Sequence, residues 1–277
     1  MKQAKILIFG CSDVGTACAL RLHRAGFSIV MAETARPADL YHSRTFSSAV
    51  FMGYRMLNGI KARTFANVQE SGRIGVDATL HEFIKYQLAQ REIALITLQN
   101  MGNSDSFPVD FAVITDPAAF NAAAANLTES AVCIAIGPPQ PNCVYSIATD
   151  TVNFGQVVYP FMEQDQPQIS PAEEPAQGAY TVKAPLEGVF TTMRAVNESV
   201  LERDELGRID QIPILSPVSG RISGLLNSGM IIKAKTVFAE IASTHSEPVF
   251  HRIPKEAFCL AGAVLEAIMY HERLQSR

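Results

Sequence analysis

Residues Lys5 to Glu33 read KILIFGCSDVGTACALRLHRAGFSIVMAE, and the fold turns on them. KILIFG is an apolar run of strand length, and Val14, Cys18, Leu22 and Ala25 then recur at helical spacing. Gly26 stands where a helix of that register ends, and FSIVMAE supplies a second apolar strand closed by Glu33. The pattern is a βαβ unit. The loop Gly10-Cys11-Ser12-Asp13-Val14-Gly15 opens its helix, and an acidic residue follows about 20 positions later. In dinucleotide-binding folds such a loop cradles a pyrophosphate and the acidic residue reads a ribose hydroxyl.

The chemistry of this loop fits that role less well than its shape does. Ser12 stands where G-x-G-x-x-G carries its second glycine, the one that lets the backbone approach the phosphates. Asp13 follows. A carboxylate at the positive end of a helix stabilises it by about 0.3–1 kcal/mol, and it takes the place where a phosphate would bind. A Rossmann-type fold is therefore expected ahead of an NAD site. Cys11, beside the helix N-terminus, is a candidate nucleophile whose reactivity Asp13 opposes; the plainer reading is a small residue filling a tight turn.

Further strands are expected at Ile93–Leu98, Asp110–Thr115 and Ala131–Gly137, with helices over 76–92 and 118–127. Such alternation makes a largely parallel sheet with helices on its faces. Ligands of such sheets sit beyond the carboxyl ends of the strands, which places Gly10 to Gly15, Glu33 and the Gly137-Pro138-Pro139 turn around one crevice. Gln164 to Gly178, rich in Pro and polar residues and including Glu173 and Glu174, reads as an exposed linker.

Beyond it lies an internal repeat. Ala184–Ile209 aligns without a gap on Ser216–Ile241, offset by 32 residues. Pro185 matches Pro217, Gly188 matches Gly220, and six apolar positions coincide: Leu186 with Val218, Phe190 with Ile222, Met193 with Leu225, Val200 with Ile232, Leu206 with Phe238 and Ile209 with Ile241. Each copy is a small β unit that needs its twin to close a core. The pair resembles the barrel-sandwich hybrid of biotinyl and lipoyl carrier domains. The hairpin between the copies, Ile209 to Leu215, holds no lysine to modify, so a structural or interface role is expected. Lys233 and Lys235 read as an exposed strand edge. Ala257–Leu274 forms a terminal helix with Leu260, Val264, Leu265 and Ile268 on its apolar face.

The expected fold class is α/β: a Rossmann-like domain over 1–163, a linker over 164–178, a barrel-sandwich hybrid-like β module over 179–248 and a helical segment over 249–277. A chain of 277 residues with 48% hydrophobic and 18% charged residues suits two globular domains. A net charge of −4 without a basic stripe argues against nucleic acid. No signal peptide and no apolar run of about 18 residues is read, so a cytoplasmic protein without a membrane anchor is expected. Five cysteines without a C-x-x-C pair read as reduced thiols. Cys18 and Cys133 read as packing residues, Cys143 as a loop residue, and Cys259 as part of the last helix. His245 and His251, in a presumed loop, lack a metal-ligand spacing. No metal site and no catalytic set assembles.

ILIFGCSDVGTACALRLHRAGFSIVMAE, TFSSAVFMG and NGIKA, with VKAPLEGVF, SPVSGRISGLLNSG and AGAVLEAI later in the chain, resemble the selenium-dependent molybdenum hydroxylase accessory proteins. These are relatives of xanthine dehydrogenase maturation factors. The resemblance rests on the order of these pieces and implies a role in inserting or maturing a molybdenum cofactor or its labile selenium or sulfur ligand. It implies a hydroxylase client as partner, with a homo-oligomer also allowed, and a nucleotide or molybdopterin-type cofactor. It carries a site onto Gly10, Asp13, Gly15, Gly137 and Pro138. Pro139 stands where that family has glycine, and Lys255, Glu256 and Phe258 stand at its Asp, Lys and Arg positions, so a diverged, scaffolding paralogue is one expectation. An NAD(P)-dependent oxidoreductase, motivated by the βαβ unit and Glu33, is the other.

Overall fold

A computed structural model describes residues 4–102, 108–127, 130–160, 179–242 and 252–276. The expected linker over 164–178, and His245 and His251, lie outside the described residues. The chain divides into two compact units. The first comprises residues 1–35, 46–172 and 254–277, and the second comprises 36–45 and 173–253.

Nine strands build the sheet of the first unit: β1 (Lys5–Phe9), β2 (Ser28–Glu33), β3 (Tyr54–Leu57), β4 (Ile60–Thr64), β5 (Ile93–Thr97), β6 (Phe111–Ile114), β7 (Val132–Ile136), β8 (Cys143–Ile147) and β9 (Val157–Val158). Their order is β3-β4-β5-β2-β1-β6-β7-β8-β9. The seven inner strands run parallel, and the edge strands β3 and β9 are antiparallel to their neighbours. The chain reverses direction across the sheet between β1 and β6, the place where doubly wound folds open a binding crevice. Ile6, Leu7, Ile8 and Phe9 are all fully buried, as continuous apolar strands covered on both faces must be.

The helices of this unit are α1 (Asp13–Arg24), α2 (Ala49–Met52), α3 (Phe65–Glu70), α4 (Leu80–Ala89), α5 (Leu98–Gly102), α6 (Pro117–Ala123) and α7 (Lys255–Gln275). The expected βαβ unit is present over β1, α1 and β2, with Gly26 (φ +98°) ending the helix. The helix expected over 76–92 is the shorter α4. Thr79 and Glu82 form a reciprocal capping box at its start. The terminal helix α7 belongs to the first unit and packs on α1. Leu260, Val264 and Ile268 are buried there and Leu265 is half-buried. A Cβ on Gly262 would lie 3.0 Å from the Arg21 guanidinium, so this glycine leaves room for the Arg21 side chain of α1.

The second unit holds two four-stranded antiparallel sheets. One has the order β10 (Ala179–Lys183), β17 (Val237–Ala242), β15 (Gly220–Leu225), β12 (Ser199–Val200). The other runs β14 (Ile212–Leu215), β13 (Glu205–Ile209), β11 (Gly188–Thr191), β16 (Met230–Ile232). The repeat explains this pattern. In the first copy β11 and β13 pair, and in the second β15 and β17 pair; each copy lends its remaining strand, β12 or β16, to the sheet of the other. The matched residues Phe190 and Ile222, Val200 and Ile232, Leu206 and Phe238, and Ile209 and Ile241 are all buried in one core. Left-handed turn residues repeat too: Asn197 (φ +76°) with Gly229 (φ +86°), and Arg203 (φ +71°) with Lys235 (φ +70°).

Two expectations change here. Met193 is fully exposed although its counterpart Leu225 is buried, because β11 ends at Thr191 whereas β15 continues through Leu225. Lys233 and Lys235 lie in the turn after β16 and not on a strand edge. Residues 36–45 also join this unit. The Leu225 N–H donates to the Leu40 carbonyl (2.8 Å), and the hydroxyls of Tyr41 and Ser223 donate to the two oxygens of the buried Glu240 (2.7 and 2.6 Å). Gly224 permits that docking, since a Cβ there would lie 3.1 Å from the Tyr41 ring.

Candidate functional site

The loop after β1 is built around two glycines that tolerate no side chain. Gly10 has φ +98°, and a Cβ on it would lie 2.6 Å from the Thr115 hydroxyl. A Cβ on Gly15 would lie 2.0 Å from the Gly10 carbonyl oxygen. The first turn of α1 therefore sits directly on the end of β1, the close helix–strand packing that the last glycine of a dinucleotide fingerprint provides. Ser12 is the exposed N-cap of α1 with extended backbone and no capping bond from its side chain. Asp13, half-buried, opens the helix.

Cys11 and Glu33 meet. The Cys11 N–H donates to Glu33 Oε2 (2.8 Å), while the Thr34 N–H (2.8 Å) and hydroxyl (3.3 Å) donate to Oε1. The carboxylate is 6% exposed and turned into the loop. A phosphate bound by a dinucleotide loop would use such backbone N–H groups; here an internal anion holds one of them. Burial raises the Glu33 pKa, and the charge of Asp116 adds to the rise. The hydrogen bonds from Thr34 and Cys11 oppose it. The Cys11 carbonyl accepts from the Thr16 hydroxyl (2.8 Å), which itself accepts from the Phe46 N–H (2.9 Å). Cys11 is fully buried, so its thiol is closed to solvent.

The end of β6 completes the rim. The hydroxyl of Thr115 donates to the Phe9 carbonyl (2.6 Å), and Asp116 caps α6 by accepting from the N–H groups of Ala118 (2.9 Å) and Ala119 (3.2 Å). Thr16, Thr34, Thr115 and Asp116 were not singled out in the sequence. The Asp116-Pro117 pair is a helix-start signal that points to Asp116, whereas the Thr115 hydroxyl, acting on a carbonyl 106 positions away, leaves no local pattern. Gly137 (φ +101°) and the exposed Pro138 sit at the end of β7, two strands from β1. There Gly137 donates to the Ile147 carbonyl (2.9 Å).

The structure thus brings Gly10, Cys11, Gly15 and Glu33 together, Cys11 and Glu33 by a hydrogen bond and the two glycines by close approach, with Gly137 and Pro138 on the flank. Asp13, Glu33 and Asp116 give this rim its charge, and none of the rim residues named above is basic. Among the described residues no group of three or more His, Cys, Asp or Glu side chains could hold a metal ion. The arrangement can accept hydrogen bonds from N–H or hydroxyl groups and repels phosphate.

A second concavity, a cleft of about 1060 Å³ in the first unit, lies at the amino ends of β1, β6 and β7 against the last turns of α7. Tyr159 donates to Glu266 there (2.6 Å), and His271 Nδ1 shares a hydrogen bond with Tyr145 (3.0 Å). It is at the opposite end of the sheet from the loop, away from the carboxyl edge that serves as the binding edge of such sheets. Of its polar lining, Tyr159, Glu266, His271 and Gln275 are hydrogen-bonded within the fold. No helix among the described residues is long and apolar enough to cross a membrane.

No family model matches the chain. It is distantly homologous to the Escherichia coli K12 protein named Uncharacterized protein YqeB, 25% identical over 276 residues. That alignment covers 95% of this chain and 47% of YqeB, so the chain spans about half the length of this relative. A crystal structure of a succinylglutamate desuccinylase from Silicibacter sp. TM1040 matches 87% of this chain and 85% of its own at 14% identity, with a TM-score of 0.25.

Proposed function

We propose that the chain is an accessory protein for a molybdenum-dependent hydroxylase of the selenium-dependent class. In this reading the carboxyl-edge crevice holds a cofactor or a segment of the client. The sequence resemblance supplies the client class, and homology to YqeB over nearly the whole chain agrees with a shared architecture. The observation that favours binding over hydride transfer is the Glu33 carboxylate seated on the Cys11 N–H. With the loop donor taken and Asp13 and Asp116 nearby, the pyrophosphate of a dinucleotide meets negative charge where it needs donors.

The rim fits one part of a pterin cofactor and not another. The half-buried Asp116, whose cap on α6 uses only Oδ1, offers an acceptor suited to the amino and ring N–H groups of a pterin, whereas its phosphate finds no basic partner among the rim residues. The chain's part in the chemistry is to hold and orient such a group. The reading places the protein in the cytoplasm with its client.

Deleting the gene and measuring molybdenum and selenium in the purified hydroxylase tests the proposal. A drop in either is the expected result; unchanged content of both overturns it. The oxidoreductase alternative is tested with NADH and NADPH at millimolar concentration. Binding at one hundred times Kd would stabilise the fold by about 2.7 kcal/mol, and no thermal shift is expected. A scaffolding paralogue, favoured by the lysine-free turn Asp210-Gln211 between β13 and β14, would leave client metal content unchanged yet co-purify with the client.

A further inference from the structure

Cys143 does not lie in a loop, as its sequence surroundings suggest. It opens β8 and is the register partner of Cys133 in β7 across a parallel pair. Side chains of register partners leave the same face of a sheet, and both residues pack against one core cluster. Both cysteines are reduced; Cys133 is 7% exposed and Cys143 is more open. Adjacent strands run about 4.8 Å apart, inside the roughly 4.4–6.8 Å that a disulfide spans between Cα atoms. The register shifts between Cys133 and Ile134, which loosens the ladder where a bridge would form.

We propose that Cys133 and Cys143 are a dithiol that exchanges with low-molecular-weight disulfides and closes to a cross-strand disulfide. Cys143, the more accessible, loses its proton and attacks one sulfur of the small disulfide. A mixed disulfide forms, and one small thiol leaves with a proton. Cys133 then loses its proton and attacks the Cys143 sulfur. The protein S–S bond forms, and the second small thiol leaves with the second proton. Two electrons pass from the cysteine pair to the small disulfide. Burial raises both thiols, Cys143 to about 11 with Cys133 contributing, so the pair rests as thiols and exchanges slowly. The bridge closes the segment 133–143, which contains the Gly137-Pro138-Pro139 turn, and thereby ties that turn to the redox state.

The full chain is incubated with oxidised glutathione, remaining thiols are alkylated in denaturant, and the peptides are mapped by mass spectrometry. The expected map shows Cys133 linked to Cys143, reversed by dithiothreitol, while the exposed Cys259 carries a glutathione adduct. Cys133→Ser is expected to trap glutathione on Cys143. The proposal is overturned if Cys133 and Cys143 remain alkylatable at an exposure that saturates Cys259, or if wild-type Cys143 keeps a stable adduct. The wild-type map decides alone, so a variant that fails to fold leaves the test intact.

Discussion

Glu33 is the residue on which the chemistry of the crevice depends. Its carboxyl is easier to protonate in the folded chain than in the unfolded one, because burial disfavours the charge. The folded state therefore binds the proton more tightly. The associated stability is fully present below the unfolded pKa near 4.5 and is lost as pH rises through the higher folded value. Urea unfolding of wild type and Glu33→Ala across pH 4 to 7 should show this slope in the wild type alone. The variant should also lose about 1–3 kcal/mol, since the Cys11 N–H loses its acceptor. That same N–H then becomes open to an external anion, so inorganic phosphate should stabilise Glu33→Ala and leave wild type unchanged. Glycines give a sharper contrast. Gly15→Ala forces a Cβ to within 2.0 Å of backbone and should cost about 4 kcal/mol or abolish folding. Gly26→Ala, with open space around it but φ +98°, should cost about 1 kcal/mol by thermal melting.

At the scale of elements, what was legible and what was not divides by the range of the interaction. The βαβ unit, the terminal helix and the repeat were readable because apolar period, glycine position and internal similarity are local properties of a chain. Glu33 was readable as the acidic end of β2, but not its inward turn, which depends on a loop 22 positions away. Cys143 was misplaced because six residues containing three prolines separate it from β7, and they read as plain loop; only strand pairing brings it beside Cys133. The excursion 36–45 left no signal either, since its anchor, Glu240, is 199 positions from Tyr41. Glu240→Ala removes the acceptor for both the Tyr41 and Ser223 hydroxyls. It should destabilise the second unit by about 1–3 kcal/mol, read as a shift in its urea midpoint. Asp116→Ala should remove about 1 kcal/mol through the lost cap on α6.

Taken whole, the first unit concentrates its order in the middle of its sheet. β1, β2, β5 and β6 are covered on both faces, whereas β3 and β9 form the edges. Amide hydrogen exchange should therefore be slowest in the four central strands and fastest at β3 and β9. The reverse order would contradict the topology. The second unit poses another question, because its two copies are interleaved and not stacked. A chain cut between Leu215 and Gly220 would keep β12 but lose its partner β15, and would leave β11 with an open flank where β16 belongs. Such a fragment carries half of a mutual entanglement, which the other copy or its equivalent from a neighbouring chain would complete. Refolding at high concentration thus offers this module a reciprocal exchange of halves between chains, a hazard inherited directly from its duplicated ancestry.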